Sequence, residues 1–556
     1  MTDDQRRNWL ARLLAVSALV VLATGCFGGG GDEPATADTT AAAPAPERRF
    51  AELKVVYDNG LDYLDPALSY TVHGGRILWH THLGLLTYPH VDGPEGASVV
   101  PALAAELPEI SEDGRTYRFR LREGLTYSNG AEVKASDFEY TIKRLFRMDS
   151  LGAGFYTGIE GAERYLRTKR GDISGIVTND GERTVEIRLV EPQGDFLHAL
   201  AMTFAAFVPS GTDDRDQSEQ GIPATGPYMI ESYTPNERIV VVRNPEWRGI
   251  PGLPDGNPDR MTFDIVADGA AALDGVIDGK WDYDFHPIPL DRLEEVREHR
   301  GDQLKLHTPA NTYYFFMNTR LKPFDRLDVR QAVNYAIDRD EVVRLYGGLA
   351  TPTQNVLPPT YPQYEPIDMY PYDLERAKRL MRQSGYVGTQ VTVWANSRDT
   401  IEKPAQYLVE VLRSIGLRAT LKVVDPAVYW TTIGNQRTRA QIGIANWFQD
   451  YPHPLNWFDT LLNGSRITEE RNNNYANADV REINELIEEL KREPELDDEV
   501  NERWARVDEL VMENALWAPV VNRQFTDFFH SSMDIERCYV NHVLYQFDYA
   551  LACKKE

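Results

Sequence analysis

The chain holds 556 residues with a formal net charge of −26 and 42% hydrophobic content, enough apolar material for two or three cores at roughly 100–200 residues per domain. That acidity argues against nucleic acid as a partner, because such binding rests on Lys and Arg neutralising phosphates. The three cysteines, Cys26, Cys538 and Cys553, stand in no C-x-x-C or C-x-x-H pair, so no thiolate metal motif is present and no cofactor is expected.

Arg6, Arg7 and Arg12 make a basic start, and residues 13–23 form an apolar run too short to cross a bilayer core of about 30 Å. The segment Leu22-Ala23-Thr24-Gly25-Cys26 resembles a bacterial lipoprotein box, in which the cysteine is lipidated and opens the mature chain. Gln5-Arg6-Arg7-Asn8-Trp9-Leu10 also resembles a twin-arginine export signal. Both readings make residues 1–25 a removed signal and place the protein outside the cytoplasm, in the periplasm or at the cell surface, anchored to the membrane at Cys26. Residues 26–49, with Gly28 to Gly31 and Pro44-Ala45-Pro46, offer too little apolar surface to offset the entropy of ordering and read as a flexible tether. No later segment approaches 18 consecutive apolar residues. In an exported chain, Cys538 and Cys553 are expected to pair as one disulfide.

Leu53 to Tyr57 is a short β-rich run, and residues 116–121 and 184–189 alternate with period two. Between the latter pair, Ser136-Asp137-Phe138-Glu139 has the pattern of a capping box, with Phe138, Ile142 and Leu145 at helical spacing behind it. From about residue 310 the alternation becomes regular. Asp328 opens one predicted helix and Asp373 another that stops at Gly385. Strands are predicted over 391–394, 419–424 and 442–445, with helices over 405–414 and 428–433 between them. Such alternation implies parallel crossovers and a sheet with helices on both faces.

In open α/β sheets, ligands bind beyond the carboxyl ends of the strands. Those ends carry Asn396-Ser397-Arg398-Asp399, Asp425, and the aromatic segment running from Asn446 through Trp447, Phe448, Asp450 and Tyr451 to Pro454. Aromatics around one carboxylate suit a ligand that is partly apolar and carries a cation. The same segment also fits a rigid proline turn that completes the core, with Asp450 capping a helix.

Taken in order, the motifs over residues 50–550 resemble the peptide- and dipeptide-binding type of solute-binding protein that serves ABC importers. They are Leu64-Asp65-Pro66, Leu83-Gly84-Leu85-Leu86, Pro101-Ala102-Leu103-Ala104, Asp113 to Phe119, Leu121-Arg122-Glu123-Gly124 and Ser128-Asn129-Gly130. Thr225-Gly226-Pro227-Tyr228, Asn244-Pro245-Glu246-Trp247, Asp328 to Ala332 and Ala336-Ile337-Asp338-Arg339 follow. The resemblance implies an α/β, two-lobed, periplasmic-binding-protein-like clamshell of type II with an extra subdomain in the first lobe. Lobe I would comprise 50–86, 209–309 and 521–556, with 87–208 as the inserted subdomain and 310–520 as lobe II. It implies that Asp450, in the Trp-x-x-Asp-Tyr segment, pairs with a peptide's α-ammonium, and that Trp447 lines a side-chain pocket. Tyr70, Thr71 and Val72 match the segment that borders the cleft, where main-chain groups can bond an extended peptide as an added strand. Phe448 and His453 depart from common members. Ile444 stands where some members have an arginine, so the partner of the ligand carboxylate does not carry over. Arg398, beside Asn396 at a strand end, takes that place on position alone.

The expected role is therefore a monomeric, non-enzymatic binding component that captures di- or oligopeptides and delivers them to a membrane permease. No G-x-S-x-G, H-E-x-x-H, P-loop or dinucleotide fingerprint supports a secreted hydrolase. His80 and His82 flank a nickel reading, but residues two apart do not share a helix face. An oligosaccharide ligand is the remaining alternative, with Trp394, Trp430, Trp447 and Trp457 available to stack on sugar rings.

Overall fold

Leu53, Val55 and Tyr57 alternate along Phe50–Tyr57 and are fully buried, which makes this the central strand of a seven-stranded sheet. The computed structural model describes residues 49–58, 60–493 and 496–556, so Cys26 and the tether lie outside the described residues. Across the sheet the strands run Leu304–His307, Phe525–Phe529, Tyr283–Asp284, Phe50–Tyr57, Pro258–Ile265, Arg238–Arg243 and Tyr228–Thr234. The central strand is parallel to both of its neighbours, and the outer pairs are antiparallel.

A four-stranded antiparallel sheet, Glu109–Ile110, Thr116–Arg120, Thr184–Arg188 and Ile176–Asn179, is built from residues inserted between the first and later strands of that sheet. Helix Ser136–Arg147 buries Phe138, Ile142 and Leu145 in the same core. The expected capping box does not form. Ala135 occupies the N-cap, and the Ser136 hydroxyl and backbone N–H both donate to Asp180, at 2.9 and 2.8 Å. A carboxylate across the fold is a stronger acceptor than a neutral local partner.

The same helix carries Arg144, whose guanidinium forks onto Asp65 at 2.7 and 2.6 Å with both side chains buried. Asp65 also accepts from the N–H groups of Ala67 and Gln217, and Arg144 donates to the carbonyls of Asp213 and Arg215. The pair therefore ties the inserted subdomain to the loop after the first strand with its polar atoms satisfied.

The second large sheet has six strands in the order Ala350–Pro352, Trp517–Arg523, Asn311–Met317, Ile442–Phe448, Gln390–Asn396 and Arg418–Val424. Gln390–Asn396 runs parallel to both of its neighbours, with helix Asp399–Ser414 crossing between two of them. Asn311–Met317 is antiparallel to both of its neighbours, so the sheet is mixed. A strand buried along its whole length shows no alternation from which direction can be read. Helix Leu374–Ser384 has Asp373 as its cap, accepting from Arg376 N, and ends at Gly385 with φ +79°. Helix Asp399–Ser414 begins six residues before the periodic run, with Pro404 inside it.

The chain passes between the two large sheets at 308–310 and at Gln524. Asn311, fully buried, clasps the two passages together. Its side chain donates to Pro309 O at 2.7 Å and Arg523 O at 3.0 Å, and accepts from Arg523 N at 2.9 Å. Beyond the second passage, Cys538 and Cys553 are joined as a disulfide that closes the C-terminal segment. No helix among the described residues is long and apolar enough to cross a membrane.

Arg144→Met leaves the Asp65 carboxylate buried without its cation, so it is expected to lower unfolding free energy by roughly 3–5 kcal/mol, measured by urea denaturation. A loss below about 1 kcal/mol would show that the pair does not hold the subdomain in place.

Candidate functional site

Strand Ile442–Phe448 is longer than its apolar core predicts and carries Trp447 and Phe448 to its carboxyl end. The chain then turns through 449–454 into helix Leu455–Leu462. Asn456 on that helix is fully buried and organises the turn. Its Oδ1 accepts from the Asp450 N–H at 2.9 Å and from Trp447 Nε1 at 3.0 Å, and its Nδ2 donates to Asp450 Oδ2 at 2.9 Å. One amide thus orients both the carboxylate and the indole. Gln449 is held on the other side, accepting from the Tyr361 hydroxyl at 2.7 Å and donating to Val543 O at 3.0 Å.

Facing this turn is Tyr70, from the loop before helix Val72–Thr81. Asp62 fixes it: one carboxylate oxygen accepts from the N–H groups of Tyr70 and Thr71, at 2.7 and 3.1 Å, and the other from the Thr71 hydroxyl. Thr71 caps the helix and Val72 is its first residue. The main-chain N–H groups of Tyr70 and Thr71 are therefore occupied within the chain. Tyr70 contributes its side chain instead. It is 39% exposed and its ring packs on Phe204, while its hydroxyl bonds Asp450. Two residues nearly 400 positions apart in sequence meet across the cleft.

Burial raises the Asp450 carboxyl to about 6, against the lowering effect of its bonds from Asn456 and Tyr70. The same burial, with the carboxylate beside it, pushes the Tyr70 hydroxyl well above its usual value. Among the described residues, the partners recorded for Asp450 are neutral donors. A cation brought beside a carboxylate in such surroundings would favour its ionised form.

The remaining sequence candidates sit at the edges. Asn396 is buried and its Oδ1 accepts from Arg398 N at 3.0 Å, so it shapes the turn into helix Asp399–Ser414. Arg398 is the exposed N-cap residue of that helix. Phe448, partly buried, lies against Tyr313 and Phe525, with ring centroids 6.3 and 5.9 Å away. The neighbouring Tyr451 donates to Asp195 of the inserted subdomain, and Gly194 N bonds Lys491 O at 2.8 Å. Next to these contacts, burial pushes His198 and His453 down to about 3, so both rings are neutral where they approach, 5.7 Å apart. A cavity of about 210 Å³ lined by His198, Tyr361, Gln449 and Val543 continues from the turn. A larger hollow of about 330 Å³ lies on the face of the seven-stranded sheet, remote from Asp450, where Arg238 pairs with Asp264.

Asn456, Asp62 and Tyr361 escaped the sequence reading. The signal for Asn456 was an amide inside the apolar run Leu455-Asn456-Trp457-Phe458; Asp62 had none. His80 has its partners far from His82: its Nε2 lies 2.9 Å from Asp548, whose other oxygen is 2.6 Å from His90 Nδ1. This buried set could hold a metal ion by its donor types, with its ligand atoms within 4.8 Å of one another. Its nitrogens bond the carboxylate directly, and although burial raises Asp548, His90 and His80 outweigh it and hold the group well below the carboxylate range. His82 instead meets Thr81 and Ile222 O.

The family model for bacterial extracellular solute-binding proteins, family 5, middle, matches residues 98–469. The chain is 27% identical over 430 residues to heme-binding protein A of Haemophilus influenzae, spanning 72% of this chain and 75% of that protein. It is 28% identical over 327 residues to glutathione-binding protein GsiB of Escherichia coli, spanning 58% of this chain and 60% of that one. Among solved structures, clavulanic acid biosynthesis oligopeptide binding protein 2 superposes with TM-score 0.85 at 26% identity, over 92% of this chain and 97% of that one. DppA from Helicobacter pylori in complex with peptide STSA superposes at 0.73 and 21% identity, over 92% and 99%.

The Asp450 carboxyl is expected to titrate near pH 6 in the ligand-free protein, followed by carbon NMR of labelled aspartate. Tyr70→Phe removes a bond that favours the ionised form and should move that midpoint upward. An unchanged or lower midpoint would mean that the two residues do not interact across the cleft.

Proposed function

The chain belongs to the bacterial extracellular solute-binding proteins of family 5, and we propose that it captures short peptides by their α-ammonium at Asp450 and delivers them to the permease of an ABC importer. The observation that carries this reading is the half-built ion pair. Asp450 is oriented by Asn456 and faced by Tyr70, in surroundings dry enough to raise it to about 6, with neutral donors as its recorded partners. A ligand ammonium completes it, and a charge-assisted bond in a drier cleft gains more than the same bond in water.

The seven-stranded sheet with the inserted subdomain forms one lobe of this reading, and the six-stranded sheet forms the other. The two passages clasped by Asn311 act as the hinge, and closure brings Tyr70 and the Trp447–Asp450 turn together around the ligand. The protein acts as a monomer without catalytic turnover. A lipid on Cys26 and the tether after it would hold the lobes near the permease and raise their effective concentration there.

Relatives carrying haem, glutathione and oligopeptide in their names mark the range of ligands around this family. An unpaired carboxylate favours the ammonium-bearing members of that range. The oligosaccharide alternative loses support from packing: Trp457 is fully buried, Trp394 lies under Lys422 with its nitrogen 4.2 Å from the ring, and Trp430 packs between Tyr429 and Tyr475. Of the four tryptophans, Trp447 borders the site.

Asp450→Asn is expected to weaken binding of peptides with a free amino terminus by roughly 2–5 kcal/mol in titration calorimetry, and to leave N-acetylated peptides as weak as they are with the parent protein. The pH dependence follows from the raised carboxyl. Ammonium binding favours the ionised form, so affinity is full above pH 6 and falls about tenfold per unit as pH drops below it. Affinity that stays constant from pH 7 to pH 4.5 would contradict ammonium pairing at Asp450.

A further inference from the structure

The cleft edge that ends strand Ile442–Phe448 also ends strand Trp517–Arg523, and it leaves a cation there without an anion. The Arg523 guanidinium is walled by three rings, with its central carbon 5.4 Å from the Tyr313 centroid, 4.8 Å from Tyr346 and 5.1 Å from Phe525. One amino group donates to the Tyr313 hydroxyl at 3.2 Å, while Nε is buried without a hydrogen-bond partner. No carboxylate pairs with it among the described residues. Aromatic faces attract a guanidinium, but they do not satisfy its N–H donors, and a buried donor left unmade is costly. Its backbone is rigidly placed, since Asn311 bonds both its N–H and its carbonyl.

We propose that Arg523 is the anion site of the cleft and takes the terminal carboxylate of the bound peptide; this rests on the reading of Asp450 as the ammonium site. The spacing agrees with one ligand serving both. Asn311 is the register partner of Phe448 and bonds Arg523 on its other side. Arg523 therefore lies two strand spacings, about 10 Å, from Phe448, and Asp450 is two residues further along. At roughly 3.5 Å per extended residue, the two charges are bridged by a peptide of about three to five residues. The rings that wall Arg523 include two in contact with Phe448, so an apolar last side chain has a surface to meet beside the carboxylate. Arg398, the position suggested by strand order, is exposed, where a guanidinium gains less from an anion.

The test uses the whole chain and a defined panel of two- to five-residue peptides, each as free acid, C-terminal amide and N-acetyl form, with affinities from titration calorimetry. The parent protein is expected to prefer acid over amide by about 10- to 100-fold. Arg523→Gln, which keeps a planar donor between the rings, should bring that ratio close to one, and Arg523→Lys should retain part of it. Equal binding of acid and amide by the parent protein overturns the proposal without any variant. It is also overturned if the ratio survives in Arg523→Gln, or if Arg398→Gln abolishes it instead. N-acetylation without effect, with acid preference intact, would count against the Asp450 reading and leave Arg523 as an anion site. If no peptide in the panel binds, peptide capture falls and this assignment falls with it.

Discussion

An ionised carboxylate removed from bulk water must be met by a cation or shift its proton equilibrium, and at Asp450 neither remedy is complete. Asp450 is raised to about 6, which still leaves it ionised at neutral pH, and its recorded partners are neutral donors. Contrast Asp65 and Asp548, both fully buried: one is forked by Arg144 and the other is bonded by two histidines. Asp508, also buried, is met by neutral donors instead: the N–H groups of Val356 and Leu357 and the Asn355 amide donate to it, and burial raises it to about 7. Asp450 differs from all three in standing opposite the Tyr70 loop, where the proposed ligand would supply the counter-charge.

Everything else near Asp450 serves to hold that charge still without neutralising it. Asn456 bonds the carboxylate, the backbone beneath it and the Trp447 indole together, so the three move as a unit. Asp62 does the same for the loop that carries Tyr70. The two halves belong to different sheets, between which the chain passes at 308–310 and Gln524, and they also touch through Tyr451–Asp195, Gly194–Lys491 and Gln449–Val543. In the proposed function, ligand binding and lobe closure are one equilibrium, because the partners proposed for the ligand come from both sides. At the other end of the same strand edge, Arg523 repeats the pattern with the opposite sign. A cleft with one unpaired charge of each sign is complementary to a zwitterion.

Much of this was legible in the sequence, and unevenly so. Helix Leu374–Ser384 shows both of its ends, because the Asp373 cap and the Gly385 stop are local chemistry. Asp450, Trp447 and Tyr70 stood out through motif resemblance and their place at strand ends. What stayed hidden depends on partners distant in the chain. Ser136 looked like a cap until Asp180 competed for it, the direction of Asn311–Met317 left no trace in a wholly buried strand, and His80 finds Asp548 across more than 460 residues. Arg523 is one basic residue among many until three rings and a missing anion single it out.

The central claim is that the cleft binds a zwitterionic peptide, and the most direct measurement is mass spectrometry of the small molecules released when the purified protein is denatured. The account predicts short peptides with free amino and carboxyl termini, present in the parent protein and lost from Asp450→Asn prepared in the same way. Release of sugars, or of peptides blocked at the amino terminus, at occupancy unaffected by Asp450→Asn, would contradict it.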